Sequence, residues 1–131
     1  MLPDAEAVTV STVDDFLKAL GSNKKITLKP GTYDLTTASD YGKEASGNDA
    51  NVWSQCGDGY QLTLRNLHDL AILGSGQAQT ELCTAPRYAD VLYFDTCRNI
   101  YLKDMTMGHT EGGEMCSGSV VDLYNCQNIE L

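Results

Sequence analysis

Apolar residues recur along most of this chain at strand period, in pairs split by a short polar corner. The stretch "VLYFDTCRNIYLKD" at 91–104 shows the pattern. Leu92 and Phe94 alternate with Tyr93 and Asp95, a break follows, and Ile100 and Leu102 alternate with Tyr101 and Lys103. A period of two puts alternate side chains on one face, so the unit reads as strand, bend, strand. "QLTLRNLHDLAILG" at 61–74 and "VVDLYNCQNIEL" at 120–131 superimpose on it without a gap. The aligned inward columns are Leu62, Leu92, Val121; Leu64, Phe94, Leu123; Leu67, Cys97, Cys126; Leu70, Ile100, Ile129; and Ile72, Leu102, Leu131. The repeat is 30 residues from Leu62 to Leu92 and 29 from Leu92 to Val121, a spacing that marks a solenoid or array. Asp69, Asn99 and Asn128 precede the second strand of each unit. A short polar side chain suits a corner because it bonds nearby backbone and tolerates a left-handed conformation.

One segment departs from strand period. In "STVDDFLKALGSNKK", Thr12 or Ser11 caps, Asp14 and Asp15 sit in the first turn, and Phe16, Leu17 and Leu20 form one apolar face before Gly21. This predicts a helix of about two turns within residues 12–21. "KKITLKPGTYDLT" follows as an earlier half-coil, with Ile26 and Leu28, a Pro-Gly turn, then Tyr33 and Leu35. The third side of each coil is assigned to "TELCTAP" at 80–86 and to the glycine-rich "GHTEGGEMCSGS" at 108–119. Residues 36–59 lack the repeat and read as a loop inserted into the first coil, with the repeated coils at 60–131. Strands that recur at this interval fit a parallel β-helix, each pairing with its equivalent about 4.8 Å away. The fold class is therefore all-β, a parallel β-helix of about three coils in one domain over 1–131 with a short N-terminal helix.

Composition narrows the partners more than the fold. A chain of 131 residues with 42% hydrophobic content is one domain with a real core if the coils stack. The net charge of −9 repels phosphate backbones and anionic membranes, so no nucleic acid and no membrane is expected as partner. No apolar run is long enough to span a bilayer, and "MLPDAEAVTV" has no export-signal pattern, so any such signal is expected to have been removed. The chain stops at Leu131 midway through a coil. It is therefore expected to be part of a longer helix, or to self-associate or take a partner chain over Leu123, Ile129 and Leu131.

The phrases "VDDFLKALGS", "KKITLKPGTYDLT", "CRNIYLKDMTMGH" and "CQNIEL" resemble the right-handed parallel β-helix superfamily typified by pectate lyases. They are most similar to the N-terminal parts of bacterial extracellular β-helix repeat proteins. The resemblance covers nearly the whole chain. It implies a right-handed coil, an extracellular or cell-surface location, and a helix that caps the first coil by packing Phe16, Leu17 and Leu20 against Ile26, Leu28 and Leu62. The superfamily holds lyases, hydrolases, esterases, tail spikes and adhesins, so the fold does not name the function. Pectate lyases use calcium-binding aspartates and an arginine base; Arg65, Arg87 and Arg98 are scattered here and match no such set.

Chemistry on such a fold lies on outward side chains. The outward columns are Thr63, Tyr93, Asp122; Arg65, Asp95, Tyr124; Ala71, Tyr101, Glu130; and Leu73 with Lys103. Tyr93, Asp95, Tyr101, Asp122 and Tyr124 form a face suited to a sugar, with aromatic rings to stack and carboxylates to accept hydroxyl protons. Strand geometry puts Asp95 and Asp122 about 8 Å apart, a separation that inverting glycosidases use. The bland alternative is a solvated acidic face, and it outweighs a catalytic pair. His109, near Glu111 and Glu114, is a candidate general base whose ordinary role is a turn contact. Asp40, Glu44, Asp49 and Asp58 could gather calcium but lack EF-hand spacing, so no metal or other cofactor is assigned. "GSG" at 74–76 reads as a turn and not as a phosphate cradle.

Cys97 and Cys126 share one inward corner and are expected as buried free thiols, and a bridge, if any, would join Cys56 to Cys116. No complete catalytic set can be assembled. The expected function is thus a non-catalytic module of a secreted or surface bacterial protein that binds a glycan or a partner chain, against the alternative of the N-terminal portion of a polysaccharide lyase or glycoside hydrolase.

Overall fold

The computed structural model describes residues 2–43, 52–110 and 120–131. The elements run β1 (Glu6–Val10), α1 (Val13–Ala19), β2 (Lys24–Leu28), β3 (Gly31–Asp34), a 3-10 turn (Leu35–Thr37), β4 (Val52–Cys56), β5 (Gly59–Arg65), β6 (His68–Leu73), β7 (Thr80–Thr84), β8 (Leu92–Asp95), β9 (Arg98–Lys103), β10 (Thr106–His109), β11 (Val121–Tyr124) and β12 (Gln127–Glu130). The chain is mostly β, with one helix. Its strands form a first sheet in the order β1-β2-β6-β9-β12, a second β10-β7-β3 and a third β11-β8-β5-β4. From β2 onward the chain visits first, second and third sheet in rotation, as far as β12. Every pairing is parallel except β4 with β5.

The register follows the repeat. Leu64 opposes Phe94, which opposes Leu123; Leu70 opposes Ile100, which opposes Ile129. Leu64, Phe94, Leu70 and Ile100 are fully buried and belong to one core with Ile26, Leu28 and Leu62. α1 forms where the sequence places it. The Thr12 side chain accepts from the Asp15 amide at 3.1 Å, and Phe16 and Leu17 turn into that core. The last rung differs from the first two. Leu123 and Leu131 are 40% and 68% exposed, because among the described residues nothing packs on their far side.

Each corner between the third and first sheets uses two left-handed residues: Asn66 and Asp69, Thr96 and Asn99, Asn125 and Asn128, all with φ between 55° and 57°. This conformation favours Asn and Asp. The side chains also bond along the stack. Asn99 Nδ2 donates to Asp69 Oδ1 at 2.8 Å, and Asn128 Nδ2 donates to Asn99 Oδ1 at 2.6 Å. Asn23, with φ 59°, precedes Lys24, which opposes Leu70, so it continues the column downward. The thiols make a parallel series: Cys97 Sγ donates to the Leu64 carbonyl and Cys126 Sγ to the Phe94 carbonyl, both at 3.4 Å. Both cysteines are free; Cys97 is buried as expected, whereas Cys126 is only partly buried, because among the described residues nothing packs on its far side.

Several boundaries differ from the sequence reading. Residues 36–59 are not loop throughout. β4 forms an antiparallel hairpin with β5, in which Trp53 opposes Leu62 and is buried beside it. The strand assigned to 108–119 is instead β10, which starts two residues earlier because Met107 continues the Tyr33–Leu82 column of the second sheet; residues 111–119 lie outside the described residues. β1 was not expected, yet its alternating Val8 and Val10 oppose Ile26 and Leu28. Cys56 is free, whereas a bridge to Cys116 was considered; Cys116 lies outside the described residues. Gly74 is a tight backbone approach, since a Cβ there would overlap the Asp104 carbonyl. That explains the first glycine of the "GSG" turn.

Candidate functional site

The outward face of the third sheet is built by register. Thr63, Tyr93 and Asp122 lie side by side on β5, β8 and β11, with Arg65, Asp95 and Tyr124 forming the adjacent column. Tyr93 thus sits at the centre of a patch of carboxylates and one further phenol. Burial pushes its hydroxyl pKa up first, and the charges of Asp122 and Asp95 and the neighbouring Tyr124 and Asp90 push it the same way. The phenol therefore stays a hydrogen-bond donor over the whole physiological range. Tyr124 is 62% exposed.

The two carboxylates are diagonal, not opposed: Asp95 faces Tyr124 across the rung, and Asp122 faces Tyr93. Their partners differ. Asp95 Oδ2 lies 4.0 Å from Arg65 Nε, and Asp95 Oδ1 accepts from the Thr96 hydroxyl at 2.8 Å. Asp122 Oδ1 accepts from the next amide, Leu123 N, at 2.9 Å. Thr63 is outward by register but buried, because β4 flanks it and Ser54 Oγ lies 3.0 Å from its hydroxyl. The face is therefore closed on the β4 side and open toward β11.

Tyr101 does not join this patch. It lies beyond the 96–99 corner on the first sheet, between Ala71 and Glu130 in register, near Lys103, whose ammonium meets Glu130 at 2.8 Å. Ala71, outward as well, is buried between the longer Lys25 and Tyr101 of the adjacent rungs.

His109 ends β10, and its Nε2 lies 2.7 Å from the Ala89 carbonyl oxygen. A carbonyl accepts only, so Nε2 carries the proton and the ring ties the second sheet to the turn before β8. Glu111 and Glu114 lie outside the described residues. Asp58 accepts from the Arg87 and Tyr88 amides at 2.9 and 3.2 Å and lies 3.8 Å from Arg87 Nε. These contacts, led by the Arg87 amide bond, hold its carboxyl below the ordinary value. It organises the 86–88 turn. Asp40 lies elsewhere, with Glu44 and Asp49 outside the described residues, and no group of three His, Cys, Asp or Glu with metal-site geometry occurs among the described residues.

Asp90 adds negative charge to the patch near Tyr93, and the repeat did not point to it because it precedes β8 and lies outside the alternation. No family description, no curated protein and no solved structure matches this chain.

Proposed function

We propose that this chain is a right-handed parallel β-helix module, of the pectate lyase-like kind that its sequence resembles, within a secreted or cell-surface bacterial protein, and that it binds a neutral glycan rather than cleaving one. Support for the coil comes from three sheets, parallel apart from the β4–β5 pair, visited in rotation at the 30- and 29-residue repeat. The binding reading rests on one observation: the checkerboard of Tyr93, Asp122, Asp95 and Tyr124 on adjacent rungs of the third sheet. Phenol rings offer flat apolar faces to the C–H side of a sugar, and the carboxylates accept its hydroxyl protons. The acidity of the face and the net charge of −9 disfavour uronic-acid polymers.

Hydrolysis would need one of the two aspartates to be an acid with a raised pKa. Both oxygens of Asp95 instead have partners, Oδ2 near Arg65 and Oδ1 accepting from Thr96. The test is a glycan array followed by calorimetry on hits, run beside reducing-sugar and unsaturated-product assays with and without calcium. Tyr93→Ala and Asp122→Asn should each weaken binding about tenfold, the effect of one lost stacking or charge-assisted contact. Tyr101→Ala should leave it unchanged. Turnover that Asp95→Asn or Asp122→Asn abolishes would replace the reading with the enzyme alternative, and no binding with no turnover would end it.

A further inference from the structure

A cavity on the second sheet is separate from the third-sheet face and does not depend on the glycan reading above. It measures about 190 Å³ and lies where the turn between β6 and β7 meets β3, β7 and β10. Thr32, Glu81 and Thr106 stand side by side in it, one rung apart in register. Gln77, Ala78 and Gln79 of the turn complete the lining, in which there is no aromatic ring.

Hydrogen bonds fix this turn before any ligand arrives. The Ser75 hydroxyl donates to the Leu28 carbonyl at 2.7 Å, the Gly76 amide to the Asp104 carbonyl at 2.9 Å, and the Gly31 amide to the Gln79 carbonyl at 2.8 Å. The Thr106 hydroxyl donates to the Gln77 carbonyl at 2.7 Å. That bond commits the one proton of the hydroxyl, so its oxygen can serve a ligand only as an acceptor. Glu81, opposite it on β7, brings a carboxylate that accepts as well. Two acceptors on neighbouring rungs, about 4.8 Å apart, are spanned by one ammonium group making two bonds of about 2.8 Å. The Thr32 hydroxyl and the two glutamine amides both donate and accept, which suits hydroxyl groups.

We propose that this cavity binds an amino sugar with a free amine, its ammonium between Glu81 and Thr106 and its hydroxyls on Thr32, Gln77 and Gln79. The volume is below the range of pockets for drug-sized ligands, about 300–1,000 Å³, and suits a single ring. One carboxylate among neutral oxygens fits a monovalent ammonium better than calcium, which gathers about six to eight oxygens. The net charge of −9 draws a cationic ligand toward the surface. N-acetylation removes that charge and leaves Glu81 without its partner. A lysine side chain would supply the ammonium but leave the glutamines and Thr32 unused.

The experiment titrates the intact chain at about pH 6, where an amine of this kind is protonated, with glucosamine, glucose, N-acetylglucosamine and methylamine at matched ionic strength. Amide chemical shifts report binding and its place. Glucosamine should shift the amides of Gln77, Ala78, Glu81 and Thr106 and bind about tenfold or more tightly than the two uncharged sugars, the scale of a charge-assisted bond. Methylamine should bind about tenfold more weakly than glucosamine, for want of hydroxyls. Glu81→Gln should bring glucosamine down to the level of glucose, Thr32→Trp should fill the cavity and abolish both responses, and Tyr93→Ala should change neither. Glu81 and Thr32 are exposed, so both variants should keep the dispersed amide spectrum of the folded chain. Equal binding of the three sugars, methylamine as strong as glucosamine, undiminished binding by Thr32→Trp, or no response to glucosamine up to about 100 mM would each overturn the proposal.

Discussion

Leu64 and Leu123 occupy one position of the repeat two rungs apart, with Phe94 between them. They are 0% and 40% exposed. Comparing Leu64→Ala with Leu123→Ala therefore measures what an additional rung contributes while residue type and local geometry stay fixed. Each change removes three carbons, at about 0.8 kcal/mol per buried methylene. For Leu64 this gives about 2.4 kcal/mol of transfer, and a closed cavity beside Phe94 brings the cost to about 3–5 kcal/mol. For Leu123 only some three-fifths of the transfer is at stake, about 1.4 kcal/mol, and water fills the space left. The two variants should thus differ by about 2 kcal/mol or more, near 1 M in urea midpoint at the slope of a small domain. Unfolding followed by far-ultraviolet circular dichroism reads the difference, and the milder Leu→Val pair reads the same gradient if Leu64→Ala does not fold. Equal midpoint shifts would refute the reasoning, because Leu123 would then be as fully enclosed in solution as Leu64.

Three further outcomes follow from the corners and the core. Asn99→Gly keeps the left-handed backbone but removes two ladder bonds, so it should cost about 1–2 kcal/mol in thermal unfolding; Asn99→Ala should cost about 1 kcal/mol more for a Cβ in that conformation. The carboxyl of Asp69 is held below its ordinary value of 3.8 by the His68 side chain first and Asn99 second. A depressed carboxyl stabilises the fold above its unfolded value and loses that contribution as pH falls through the lower folded value, so Asp69→Asn should flatten the decline in melting temperature below about pH 4. Burial pushes the Cys83 thiol up to about 12 and raises that of Cys97, so mass-spectrometric labelling at about pH 8 should modify the partly buried Cys126 well before either, and both only on unfolding.

Sequence periodicity carried the register because a parallel stack repeats one environment at one position. Leu64, Phe94 and Leu123 align in the sequence, and the same alignment puts Tyr93 beside Asp122, as β8 and β11 do in register. The helix was legible for a local reason, as Thr12 bonds the Asp15 amide within one turn. What stayed hidden was non-repeating. β4 pairs antiparallel, within a polar stretch, and only Trp53 betrays an inward residue. β1 carries two valines between polar neighbours, too short a pattern to stand alone until β2 lies beside it. Asn23 belongs to the corner column but has no preceding strand–corner phrase to align. Burial of Thr63 and Ala71 also escaped the alternation, which sorts residues by face and is blind to the size of their lateral neighbours.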